Sequence, residues 1–107
     1  MSGSSGEMGN LLKQAQKMQQ AIDEAQEELR STTVEGTAGG GVVTATVTGD
    51  GQVQKIAITD EALQAGGRTI LEQLVLAAVR DGITKAERVR RTRMSKVTGG
   101  LDLPGLM

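Results

Sequence analysis

Apolar residues recur at Met8, Leu11, Ala15, Met18, Ile22, Ala25 and Leu29, in alternating steps of three and four over three heptads. That spacing keeps them on one narrow stripe of an α-helix, and the Gln, Lys, Glu and Asp between them are good helix formers in water. The pattern predicts an amphipathic helix with a coiled-coil-like seam, facing either the chain's own core alone or a second subunit as well. After Arg30 the period changes to two. Thr33 to Thr37 reads as a strand and Ala38 to Gly41 as a loop, and Val42 to Thr48 as a strand with Val43, Ala45 and Val47 opposite Thr44, Thr46 and Thr48. Gly49-Asp50-Gly51 suits a tight hairpin, and Gln52 to Ile58 forms a third strand with Ile56 and Ile58 on one face.

A short connector, with one helical turn over Glu61 to Gln64, leads to a second long helix from about Thr69. There Thr69 and Glu72 have the spacing of a capping box. The core stripe of this helix is Leu71, Leu74, Val75, Ala78, Val79, Gly82, Ala86 and Val89. A helical Gly costs about 1 kcal/mol relative to Ala, which marks Gly82 as a point of close packing or a bend. The fold class expected is α+β: a long N-terminal helix, a three-stranded antiparallel sheet and a long C-terminal helix. Residues 8–98 would be a single domain, 1–7 a flexible leader or fusion scar, and 99–107 a C-terminal tail.

Composition narrows the chemistry. The 107 residues contain no Phe, Tyr, Trp, Cys or His. A core of Leu, Ile, Val, Met and Ala buries less area per side chain than an aromatic one, so help from a second subunit is expected. Disulfides, thiol chemistry and zinc held by thiolate or imidazole are excluded, and no cofactor is implied. A reducing cytoplasm fits this composition. The stretch Ile70 to Val79 is too short to span a bilayer and is broken by Glu72 and Gln73. Met1 to Gly6 has neither the basic nor the apolar region of a secretory signal.

Charge is the least even property of the chain. From Arg80 to Lys96, seven basic residues face only Asp81 and Glu87, a surplus of +5 in a chain of net charge −1. At 100° per residue the core stripe continues from Val89 to Arg93 and Lys96, which cannot be buried unpaired, so the helix should leave the core near residue 90 as a basic projection. Arg80, Arg88 and Arg91 share its outer face. The plainer alternative is a solvated face partly neutralised by Asp81 with Lys85 and Glu87 with Arg91, both spaced i,i+4. Two acids cannot balance seven bases, however, and Arg at five of the seven positions suits bidentate phosphate contact.

Other signals are weaker. Gly39-Gly40-Gly41 precedes a strand and lacks a following Gly-Lys-Ser/Thr, so it reads as a hairpin loop and not a phosphate loop. The acids Asp23, Glu24, Glu27 and Glu28 read as a solvated helix face, with no accompanying catalytic signal. The basic end lacks the bulky apolar flank of a membrane-surface helix. Without aromatic rings the chain cannot stack single-stranded bases, which leaves duplex phosphates as the natural polyanion.

The chain resembles the YbaB/EbfC nucleoid-associated proteins. The matching stretches are Gly9 to Gln19, the glycine segment Gly36 to Val43, Leu71 to Val79, and Met94 to Pro104 with Thr98-Gly99-Gly100-Leu101 followed by Leu103-Pro104-Gly105. The resemblance implies a small cytoplasmic, nucleoid-bound homodimer with helices projecting like tweezer arms, and binding to double-stranded DNA. The chain departs from the family pattern at Arg80, where Asn is common, at Gly82, where Ala is common, and at Thr59-Asp60-Glu61, where an Asp-Pro turn is usual. The DNA contacts expected are Lys85, Arg88, Arg90, Arg91, Arg93 and Lys96, with Arg80, Lys13 and Lys17 as further candidates. A function of another class would be a dimeric adaptor that holds a protein partner through the heptad seam or the tail, with incidental DNA contact.

Overall fold

The computed structural model describes residues 2–99, with side chains from Gly6 onward. Its elements are α1 (Ser2–Ser31), β1 (Thr33–Ala38), β2 (Val43–Thr48), β3 (Val53–Ile58), α2 (Asp60–Gln64) and α3 (Gly67–Thr98). This is the expected α+β architecture. One difference lies at the start, where α1 takes in residues 2–7 that the apolar period had left outside the helix. No proline interrupts the segment, and Gly6 and Gly9 have no neighbour within 4 Å of an added Cβ, so helix continues there without tertiary contact. Of the expected tail, residues 100–107 lie outside the described residues.

The three strands form an antiparallel sheet in the order β1-β2-β3, in a register that sets Gly36 opposite Ala45 and Ala45 opposite Ile56. The glycine run joins β1 to β2, with Gly39, Gly40 and Gly41 at φ of 63°, 75° and 101°, a conformation that side chains rarely adopt. On β3 the pairing steps from Thr46↔Lys55 to Val47↔Val53, a one-residue bulge that brings Val53 opposite Val47.

Period-2 alternation puts Val43, Ala45 and Val47 on one face, and all three are fully buried beneath α3. From α3 come Ala78, Gly82 and Ala86, flanked by half-buried Leu71, Leu74, Val75 and Val79. Small residues here let helix and sheet approach closely. A Cβ on Gly36 would lie 2.1 Å from the Gly82 backbone nitrogen and 2.2 Å from the Ala78 carbonyl oxygen. Close packing, not a bend, is thus the role of Gly82. Because α3 lies over β1 and β2 and scarcely meets β3, Val53 and Ile58 remain 44% and 42% exposed.

The expected capping box is not formed. α3 begins two residues before Thr69, with Gly66 at its N-cap and no side-chain cap bond. Thr69 already lies in the first turn, where its hydroxyl cannot serve the orphan N–H groups ahead of it. Side-chain capping occurs instead at Thr59, whose oxygen accepts from the Ala62 N–H at 3.3 Å while its hydroxyl donates to the Val42 carbonyl at 2.8 Å. This bond ties α2 to the start of β2.

Candidate nucleic-acid interface

The basic segment occupies the second half of α3, and the structure divides its members into two groups. Arg80, Arg88, Arg90, Arg91 and Lys96 are exposed, whereas Lys85 and Arg93 are half-buried and engaged. Lys85 donates from Nζ to the Glu35 carbonyl at 3.0 Å and pairs with Asp81 at 3.0 Å. Asp81 in turn accepts from the Thr37 N–H at 2.9 Å. Thr37 and Glu35 belong to β1, an outer strand of the sheet, so this i,i+4 pair satisfies backbone groups that would otherwise leave an open edge. The Thr37 N–H, and then Lys85, hold the Asp81 carboxyl below its ordinary range.

Arg93 departs from the sequence expectation. Its Nε and Nη2 donate to the two carboxylate oxygens of Glu28 at 2.6 and 3.1 Å, a bidentate fork between α3 and α1. Hydrogen bonding to Arg93 lowers the Glu28 pKa, and the same bond raises that of Arg93. The premise that position 93 cannot be buried unpaired holds, but a partner is supplied by the segment 65 residues away. Consequently α3 does not leave the body alone near residue 90. Met94 and Val97 stay half-buried against α1, which runs antiparallel to it: Leu29 lies near Ala86 and Met94, and Leu11 to Ala21 lie near Val97. The projection is a two-helix arm, and the molecule measures 76 × 26 × 16 Å.

Glu28, which the sequence pattern assigns to a solvated face, is the partner of the basic segment that the pattern did not reveal. A usable signal was present, since the acidic run Asp23 to Glu28 and the basic run Arg88 to Lys96 complement each other if the two helices are antiparallel. Of the two bridges that the plainer alternative offered, Asp81–Lys85 is formed and Glu87–Arg91 is not among the ion pairs of the described residues. Arg80, Arg88 and Arg91 have no ion-pair partner among those residues either, and they span roughly 16 Å along the outer face of α3. Arg88 and Lys96 also border a shallow groove of about 330 Å³ with Val89 and Thr92. On α1, Lys13 and Lys17 are exposed, and Lys17 lies at the rim of the apolar groove against Val97.

A cleft of about 460 Å³ separates the end of α1, the β2–β3 hairpin and α3. Around it Arg30 and Arg90 are matched by Asp50 and Glu87, so it offers a ligand no single sign of charge. Among the described residues no group of His, Cys, Asp or Glu could hold a metal ion, and no helix is long and apolar enough to cross a membrane.

The model of a family described as the YbaB/EbfC DNA-binding family matches residues 5–101. The chain is 44% identical over 105 residues to a nucleoid-associated protein of Acetivibrio thermocellus, covering 97% of this chain and 93% of that protein. It is likewise 44% identical over 99 residues to one of Caldanaerobacter subterraneus subsp. tengcongensis, covering 92% and 89%. Among solved structures, an uncharacterized protein from Helicobacter pylori superposes with a TM-score of 0.68 at 23% identity, over 86% of this chain and 94% of that one. This last likeness concerns the fold.

Proposed function

The chain belongs to the YbaB/EbfC DNA-binding family, and from that premise we propose that it acts at the nucleoid as a homodimer. In this role it holds double-stranded DNA mainly through phosphates, with little sequence discrimination. The observation that carries this reading is the exposed row Arg80, Arg88 and Arg91 on α3, unpaired among the described residues. Arg90 and Lys96 add exposed charge on other sides of α3, and Lys13 and Lys17 add charge from α1. Lys85 and Arg93 are secondary contacts, because each must share its charge with Asp81 or Glu28. Phosphate contact needs only positive, mobile donors, whereas base readout needs a shaped reader, and no aromatic stacker is present. The absence of His and Cys from the sequence favours binding over catalysis.

A homodimer is supported by the apolar surface that α3 leaves beside β3. Ile58, Leu71, Val75, Leu76 and Val79 line a groove of about 440 Å³ there. Leu76 is 49% exposed, and Ile58 belongs to the strand that α3 scarcely covers. A second copy seated on this groove would bury it and present two arms to one duplex.

The test is a fluorescence-anisotropy titration of the purified protein against duplex of random sequence at several salt concentrations. Log K should fall steeply with log salt, and a preferred duplex should outcompete a scrambled one by no more than roughly tenfold. A slope near zero would remove the electrostatic basis of the proposal. A preference beyond a hundredfold would mean that side chains read base edges.

A further inference from the structure

Arg93 takes part in two arrangements at once. Its Nε and Nη2 donate to Glu28 of α1 in the fork of 2.6 and 3.1 Å. The same side chain borders the groove of about 330 Å³ that Arg88, Thr92 and Lys96 also line. Those three stand at i, i+4 and i+8, on successive turns of α3 over roughly 12 Å of axis, and all are exposed. Neither Arg88 nor Lys96 has an ion-pair partner among the described residues. Two free cations and a hydroxyl thus share one groove with a guanidinium that is already engaged.

We infer that this groove seats a DNA phosphate, on the premise of the DNA binding proposed above, and that Glu28 competes with that phosphate for Arg93. A carboxylate and a phosphate present the same pair of acceptor oxygens to a guanidinium, so one can replace the other on the Arg93 fork. The bridge is open to replacement. The Glu28 side chain is 59% exposed and that of Arg93 28%, and an ion pair held in water is weak against a ligand that brings several charges. A phosphate in the groove would gain Arg88 and Lys96 together with Arg93, whereas Glu28 is bridged to Arg93 alone among the described residues. Once released, Glu28 stays at the surface, so the exchange leaves no buried charge behind. Glu24 and Glu27 share a shallow concavity of α1 with Glu28, and this acidic side repels a duplex. Glu28 therefore does two things: it lowers the affinity for DNA, and it directs the duplex to the α3 side of the arm.

The test is a set of salt-dependent titrations of the full-length protein with random-sequence duplex, below the melting transition of every variant used. Glu28→Gln should bind roughly fivefold to tenfold more tightly at about 0.1 M salt and steepen the slope of log K against log salt by about 0.9, the effect of one further phosphate contact. In an Arg93→Ala background the same substitution should change affinity by less than about twofold, because the donor it would release is gone. Glu24→Gln removes an acid of the same concavity that has no ion pair among the described residues, and should also stay within about twofold. Unchanged or weaker binding by Glu28→Gln would overturn the competition while leaving DNA binding intact. An equal gain from Glu24→Gln, or in the Arg93→Ala background, would overturn it too, by assigning the effect to acidic charge in general. Absence of binding by the wild type would overturn both proposals. A second measurement needs no substitution: the magnetic resonance signal of the Arg93 Nε–H should shift as duplex is added to the wild-type protein, and a signal unmoved at saturation would show that Arg93 keeps Glu28.

Discussion

At the scale of single residues, the contact between Gly36 and α3 sets how closely the helix lies on the sheet. A methyl group on Gly36 would meet backbone atoms at 2.1 and 2.2 Å, which cannot move unless α3 lifts away. Gly36→Ala should therefore cost about 3 kcal/mol or more, the upper part of the overpacking range, and lower the melting temperature sharply. Gly82→Ala meets chiefly the Val47 Cγ2 atom, at 2.6 Å. Rotation of that side chain and the helix propensity of Ala, worth about 1 kcal/mol, should keep the net change within about 1 kcal/mol. Parallel thermal melts distinguish the two.

The arginines should separate by the same kind of comparison. Arg88→Ala and Arg91→Ala remove exposed charge, so folding should persist while each substitution reduces the slope of log K against log salt by about 0.9. Arg93→Ala strands Glu28 and should lower the melting temperature, with the smaller effect on DNA. Glu28 and Asp81 both have lowered pKa values. Their contribution to stability is therefore complete above the ordinary carboxylate range, about 3.9 to 4.3, and is lost as pH falls through the lower folded values. Melts from pH 7 to pH 2 should show the gap between wild type and Glu28→Gln closing only at the acidic end. A gap that persists at pH 2 would assign the loss to packing instead of the ion pair.

At the scale of elements, the period of apolar residues located both long helices and all three strands, because helix and strand repeats differ enough to be told apart. Helix ends were harder. Thr69 and Glu72 have capping-box spacing, yet the start of α3 is set by Gly66 and Gly67 beside α2. The heptad seam of α1 was legible, but not its partner: within the chain it packs against α3 around Met94 and Val97, with no second subunit needed for that contact. Ile22→Asp would put a charge into this half-buried seam. It should loosen α1 and cancel the protection of residues 15–25 in hydrogen exchange, while β2, beneath α3, exchanges as before.

At the scale of the molecule, a body 76 Å in longest extent and only 16 Å in its shortest offers much surface and little core. Fully buried side chains are small, with Val43 and Val47 the largest. Such a body gains from covering the apolar strip at Ile58 and Leu76. Under the proposed homodimer, Leu76→Asp should halve the mass seen by light scattering and, by separating the two arms, weaken DNA binding more than loss of one arginine does. A variant that keeps the parental mass would place the subunit contact elsewhere.

The order of elements, the inward face of β2 and the excess of charge on α3 are local properties, written in residue type and spacing, and the chain alone determined them. Which charges are spent and which remain for a ligand was decided by tertiary structure. Lys85 and Arg93 look like their neighbours in the sequence, but the fold brings the Glu35 carbonyl to Lys85, beside its helical neighbour Asp81, and Glu28 to Arg93. The Arg93–Glu28 pair and the bonds of Lys85 and Asp81 to β1 span separations that helical periodicity does not encode, so only the packing of α1, β1 and α3 could sort the seven bases into structural and exposed.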